Sequence, residues 1–453
     1  STVLWSKLLL GDRRTLVEHI WLFLGVVKKQ ATRKPHDEEL RSRGAVIPEQ
    51  ELQLCWDAAT RPLKKLVEGK IVTWSPEFEL FHGKLERVWR RFVSLKDHSF
   101  SNEDGVDHGA TIQWFVAKVM VLWAQRHTQG PAGSDVSGVY HALWHEMINA
   151  KVGVPDTDGL VHVFLTSCGM KDGVWGTSFW GSLAKAIGEL HKIWRFWQTD
   201  TKVRDSYVDV LDLVRSIRAE IHGDNSLVAY PDVLVPLAGS NPAGAKWARE
   251  VGFLIKPEES LLCGDFAQSF VMSWHLTNVG SSSKPRIVGW KPAHDLLKAF
   301  FLPERLTDYD SLGISTRSYL GEILVSLYIL GYWNLASRRW IECVWRILWC
   351  HEPEVIIRIQ HIKDFVYKTG LHPEQLDAIS SMAEFPYPPV KVALLWLGAG
   401  AEGLVDRYAL EAGGEAEASA FCSGLDALRE SHVPQPIHEA PDQRWAPACV
   451  DND

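Results

Sequence analysis

His222-Gly223-Asp224-Asn225-Ser226 sets one carboxylate at a glycine-marked bend between two β-like runs. Ile217-Arg218-Ala219-Glu220-Ile221 precedes it, and Leu227-Val228-Ala229-Tyr230 follows, ended by Pro231. A short turn with Gly at its centre suits a β-hairpin. An acidic side chain at such a tip is placed to hold a divalent cation through hard oxygen ligands. The hairpin therefore anchors the reading of the middle of the chain.

The 453 residues exceed what one hydrophobic core usually supports, so two or three packed subdomains are expected. Apolar content of 46% and 21 Trp point to a core-rich globular chain. The net charge of -8 excludes a generally polycationic surface but leaves room for a local basic channel. Seven cysteines, Cys55, Cys168, Cys263, Cys343, Cys350, Cys422 and Cys449, form no CxxC pair and no zinc-like spacing. They read as buried thiols of a reducing compartment. No run of eighteen apolar residues exists, so no membrane span is expected. The chain opens on Ser1 rather than Met, as a processed or partial product would.

Outward from the hairpin, periodicity predicts helix over 1–30, 49–68, 81–93, 111–126 and 138–149. Residues 70–74 read as a short strand, and 95–110 as a polar loop. Residues 152–163 form a hairpin pattern about Pro155-Asp156-Thr157-Asp158-Gly159. A Gly-rich stretch at 169–182 leads into helix to Trp197, and a helical or mixed segment at 206–219 precedes the Gly223-Asp224 turn. A helix near 242–251, a strand or turn at 253–262 and a hairpin at 266–276 follow. From Pro292 to Leu397 the pattern is nearly all helical, and 400–453, rich in Ala, Gly, Glu and Pro, reads as a poorly ordered tail or a lid.

Taken in order, several segments resemble the motifs of viral RNA-dependent RNA polymerases, most closely those of partitivirus-like and picobirnavirus-like double-stranded RNA viruses. The resemblance covers roughly residues 39–350. Cys168-Gly169-Met170-Lys171-Asp172-Gly173-Val174-Trp175-Gly176-Thr177-Ser178-Phe179-Trp180-Gly181-Ser182 resembles the motif B loop and helix, with Asp172 where the family commonly has Ser and Lys185 or a neighbour where it has Asn. Gly223-Asp224-Asn225 resembles an Asn variant of the Gly-Asp-Asp of motif C. Gly244-Ala245-Lys246-Trp247-Ala248 to Lys256 resembles motif D, and Phe270-Val271-Met272-Ser273-Trp274 the primer-gripping motif E. Leu302-Pro303-Glu304 resembles the signature that opens the thumb, with Arg286 as the basic residue before it. Upstream, Leu40-Arg41-Ser42-Arg43 resembles the end of motif F, and Val72-Thr73-Trp74-Ser75-Pro76-Glu77-Phe78-Glu79 resembles motif A with Thr73 in place of its essential Asp.

The resemblance implies an α+β right-hand polymerase with fingers, an antiparallel-sheet palm and a helical thumb. It divides the chain into fingers at 1–70, a palm segment at 71–94, fingers at 95–160, palm at 161–276, thumb at 277–400 and a tail at 401–453. The implied activity is template-directed RNA synthesis from nucleoside triphosphates, with Mg²⁺ or Mn²⁺ as cofactor. Implied partners are template and nascent RNA, with a capsid or other replication proteins besides, in a virion or host cytoplasm.

Two-metal nucleotidyl transfer needs several oxygens of high charge density around ions ~3.5–4 Å apart. Asp224 and Asn225 are the expected metal ligands, and Glu79 or Glu77 would replace the carboxylate lost at Thr73. Asp107 or Asp135 is the alternative motif A carboxylate. Arg41, Arg43, Lys256, Asp172, Gly173 and Thr177 are expected to meet the nucleotide, Arg being suited to bidentate phosphate contacts. Gly169, Gly176, Trp274 and Arg286 are expected to meet RNA, glycine backbone permitting a close approach. Three further readings stay open: a catalytically impaired polymerase-like RNA-binding or structural subunit, a scaffold without enzyme activity, and an unrelated α/β enzyme in which Asp224 merely caps a turn.

Overall fold

The computed structural model describes residues 22–32, 41–67, 80–106, 108–128, 136–156, 158–171, 173–256, 260–301, 316–349, 385 and 389–398. Two β-strands open this set, β1 (Leu22–Thr32) and β2 (Arg41–Pro48), where part of the first was expected to be helix. Leu22-Phe23-Leu24-Gly25-Val26-Val27 carries Phe23, Val26 and Val27, residues that suit a pleated strand, within its apolar run. Helices α1 (Gln50–Val67) and α2 (Leu85–Phe92) follow. The 95–110 stretch expected to be a loop instead holds β3 (His98–Glu103), β4 (Gly105–Val106) and the start of α3 (His108–Thr111).

Next come α4 (Trp114–His127), α5 (Val136–Ile148), β5 (Lys151–Pro155), β6 (Val161–Leu165), the long α6 (Thr177–Thr199), α7 (Thr201–Ser206) and α8 (Val210–Ser216). The central hairpin is β7 (Arg218–His222) and β8 (Asn225–Pro231). A 3₁₀ turn at Asp232–Leu237 leads to α9 (Pro242–Glu250), β9 (Leu254–Ile255), β10 (Leu261–Cys263), β11 (Phe270–Val271), β12 (Trp274–Asn278) and β13 (Ile287–Trp290). The remaining described elements are helical: α10 (Ala293–Phe301), α11 (Thr316–Gly331), α12 (Leu335–Trp349) and α13 (Pro389–Leu397).

One four-stranded sheet has the order β2-β1-β5-β6, and a second has the order β10-β3-β8-β7. In the second, neighbouring strands are antiparallel throughout, with Glu103 opposite Ser226 and His222 opposite Asn225. A three-stranded sheet, β11-β12-β13, lies beyond it in sequence. The described residues thus form a mixed α/β fold whose last four elements are helical.

Strand β8 explains how the halves join. Val228 and Tyr230 belong to a core built on α6, α4 and α5, while Leu227 and Ala229 belong to another built on α2, α11 and the three-stranded sheet. Successive strand side chains point to opposite faces, so one sheet is the shared wall of two cores. Its continuous apolar run reflects burial on both faces. In the first core Trp56, Trp144 and Trp180 meet edge to face. In the second Trp396 packs on Phe81 and Trp274, and its indole N–H donates to the Ile329 carbonyl at 2.9 Å.

Candidate functional site

The hairpin tip is a two-residue turn in which Gly223 alone has positive φ, at 60°. Glycine at the first central position gives the type II′ geometry that matches strand twist, and a side chain there would be strained. Asp224 follows it and is half-buried. Asn225 turns its amide nitrogen to Asp224 Oδ1 at 3.1 Å, so a donor neighbours the carboxylate.

Helix α6 holds this tip from beneath. It starts at Gly176, which is left-handed with φ of 80°. One turn into the helix, the Ser182 hydroxyl accepts the Gly223 amide N–H at 2.8 Å and donates to the Ser178 carbonyl at 2.7 Å. Gly181 lies against the same turn, where a Cβ would stand in ordinary contact 3.5 Å from Gly223 Cα. The Ser182 hydroxyl thus seats the hairpin tip on the helix.

Further along the same helix face, Lys185, Glu189 and Lys192 are buried against the sheet. Glu103, the last residue of β3, points to them: Lys185 Nζ reaches its carboxylate at 3.2 Å and Lys192 Nζ at 3.1 and 3.0 Å. The Gly239 amide N–H also donates to Glu103, at 2.6 Å, and the Ser101 hydroxyl at 3.3 Å. Lys192 meets Glu189 at 2.8 Å, and the Tyr230 hydroxyl of β8 donates to Glu189 at 2.9 Å. Burial alone would raise the Glu103 pKa, but Lys192 and Lys185 together with the donated hydrogen bonds hold it down at about 2. Glu189 moves the other way, raised by burial and then by the Glu103 charge. Lys192 stays charged because the two carboxylates outweigh its burial.

On the opposite edge of the sheet, β7 is tied to α2. Arg91 reaches buried Glu220 at 2.5 Å and the Ala219 carbonyl at 2.5 Å, and Arg87 reaches Glu220 at 3.3 Å. The strand hydrogen-bonded to β8 on its other side is β3, so the chain that leaves β3 at Asp104 does so beside the hairpin. Asp104 pairs with Lys256 at 2.6 Å, and β4 then pairs with β9.

The expected site residues divide by place. Glu77, Glu79, Thr73 and Asp172 lie outside the described residues, as do the alternatives Asp107 and Asp135. Arg41 and Arg43 contribute backbone to β2, and their side chains lie outside the described set. Gly169, Gly173 and Gly176 face protein at close range: Cβ atoms there would stand 2.8 Å from the Ala110 carbonyl, 2.7 Å from the Val46 carbonyl and 2.6 Å from Thr60 Cγ2. Thr177 turns its hydroxyl to the Val174 carbonyl. Lys256 is paired with Asp104 as described, and Lys185 is buried on Glu103. Trp274 is buried in the second core, and Arg286 binds the Leu397 carbonyl and pairs with Glu86 at 3.2 Å. These last two side chains make contacts between elements.

Sequence reading passed over Glu103 and the inward role of the lysines. The signal was present in the spacing of Ser182, Lys185, Glu189 and Lys192 at three, four and three residues, one face of a helix that is otherwise apolar toward the core. Divalent-cation binding needs more oxygens than the tip supplies: Asp224 gives one carboxylate and Asn225 a neutral carbonyl. Among the described residues, no three His, Cys, Asp or Glu side chains meet as a metal-holding group. The described residues therefore do not complete a two-ion centre.

Comparison with solved structures matches this chain to a Sicinivirus 3Dpol RNA-dependent RNA polymerase with a TM-score of 0.55 and 11% sequence identity, over 81% of this chain and 71% of that one. At this identity the likeness is one of fold. No protein-family model matches the sequence, and no curated protein matches it. No described helix is long and apolar enough to cross a membrane.

Proposed function

We propose that this chain copies RNA from an RNA template, joining nucleoside triphosphates at the hairpin tip that carries Asp224. The observation that carries the reading is the Gly223-Asp224 turn, seated on α6 through Ser182 and flanked by β3, within a fold that resembles a viral RNA polymerase. In this reading the sheet β10-β3-β8-β7 with α6 and α9 is the palm. The sheet β2-β1-β5-β6 with α1, α4 and α5 belongs to the fingers, and α10 to α13 form the thumb.

The palm boundary then moves from the sequence-based expectation, because β3 joins the palm. The carboxylate that complements Asp224 is accordingly sought first in the chain leaving β3, at Asp104 or Asp107, ahead of Glu77 and Glu79. Mg²⁺ or Mn²⁺ is the proposed cofactor, and template and nascent RNA are the proposed partners, held chiefly by backbone and shape because copying demands indifference to base sequence. A virion or host cytoplasm is the proposed setting.

Primer extension on a homopolymeric RNA template, with Mg²⁺ or Mn²⁺, tests the proposal. The chain should incorporate nucleotide, and Asp224→Ala should lose about a hundred- to a thousandfold, as loss of a group acting on transition-state charge does. The neutral Asn225 and the incomplete donor set among the described residues favour one second reading, a polymerase-like RNA-binding subunit without catalysis. Retained RNA binding with no incorporation by either protein selects it.

A further inference from the structure

A buried ionic cluster lies under the palm sheet and has no part in the proposed chemistry itself. Glu103 is enclosed on every side by Ser101, Lys185, Lys192 and the Gly239 amide, and a Cβ on Gly239 would stand 2.6 Å from the Glu103 carboxyl carbon. A buried ion network is a weak source of net stability, since well-packed apolar side chains of the same volume avoid its desolvation. What charge-assisted hydrogen bonds supply is direction and fixed distance.

Both ends of the candidate site are tied to one helix. Ser182 of α6 holds the hairpin tip, and Lys185 and Lys192 of the same helix hold the end of β3, from which the chain passes to Asp104 beside that tip. We propose that Glu103, Lys185 and Lys192 are positioning residues that set the gap between the Asp224 turn and the chain leaving β3, an inference that rests on the polymerase reading.

The test uses the full chain carrying Glu103→Gln together with Lys185→Met, which removes one charge of each sign and leaves the Lys192 and Glu189 pair. Glu103→Asp, which keeps the charge and shortens its reach, serves as the second variant if the first does not fold. Hydrogen exchange is followed in peptides over 98–106 and 218–231, with 151–165 as reference, alongside single-nucleotide extension. Exchange should rise at least tenfold in the first two peptides and stay unchanged in the reference, while kcat falls at least tenfold and KM for nucleotide stays within twofold.

Unchanged exchange at the hairpin with unchanged kcat overturns the proposal, and so does an equal rise in all three peptides, which marks general destabilisation. An unmodified chain that incorporates no nucleotide overturns the polymerase reading instead. The exchange ratios between peptides then still decide whether the cluster fixes the hairpin.

Discussion

Replacing Lys192 by methionine removes the cation that touches Glu103, Glu189 and Tyr230 at 2.8 to 3.2 Å and leaves a buried excess of negative charge. Breaking a buried pair from one side costs about 3–5 kcal/mol. The Glu103 carboxyl points the same way: the two lysines and the donated hydrogen bonds hold it at about 2, below the ordinary 4.5, so folding favours its charged form at neutral pH. Because its folded pKa is depressed, that contribution is complete above about pH 4.5 and fades as pH falls toward 2. Glu189 acts with the opposite sign. Its raised pKa makes the folded state bind a proton more readily than the unfolded chain, so its burden eases as pH falls. Without Lys192 both carboxyls lose a cation and rise, so the variant should gain more stability than the parent as pH falls below neutral. Urea unfolding of Lys192→Met at pH 7 should show a loss of about 3–5 kcal/mol. A loss under about 1 kcal/mol, the range of exposed pairs, would refute the reasoning. So would a variant whose stability follows the parent's pH dependence in parallel.

Other substitutions probe the packing that presents the site. Gly176→Ala places a Cβ 2.6 Å from Thr60 Cγ2 at a residue with φ of 80° and should cost about 2–4 kcal/mol by chemical denaturation. Ser182→Ala leaves the Gly223 amide without its acceptor; a cost of about 1–3 kcal/mol and faster amide exchange at Gly223 are expected. Trp396→Ala opens a cavity beside Phe81 and Trp274 and removes the bond to the Ile329 carbonyl, for a loss of about 3–5 kcal/mol in calorimetry.

The local elements nearest Asp224 were legible because their chemistry is local. The Gly223 bend, the β runs on each side and the long helix toward Trp197 follow from turn residues and periodicity within a few positions, although the helix starts at Thr177, inside the Gly-rich stretch. β3 was not legible: Ser99, Ser101, Asn102 and Glu103 make it look like a polar loop, whereas in the folded chain long-range bonds satisfy Asn102 and Glu103, and Ser101 donates to Glu103. Asn102 binds the Phe270 backbone and Glu103 the lysines of α6, partners far away in sequence. β1 was hidden for the opposite reason, since a short apolar run fits a buried helix or a strand equally well. At the site, Asp224 could be read from the turn, but which carboxylate stands nearest depends on strand order, a property of tertiary pairing. The inward role of the lysines was passed over because a charge on a helix usually faces water.

Strand β8 answers to two masters. Leu227 and Ala229 must fit the aromatic packing on one side, while Val228 and Tyr230 must fit α6 on the other. An exchange of residue types along it, or a slip of one position, therefore spoils both environments at once and displaces the Asp224 turn at its end. A substitution in this short segment has to suit neighbours on two fronts.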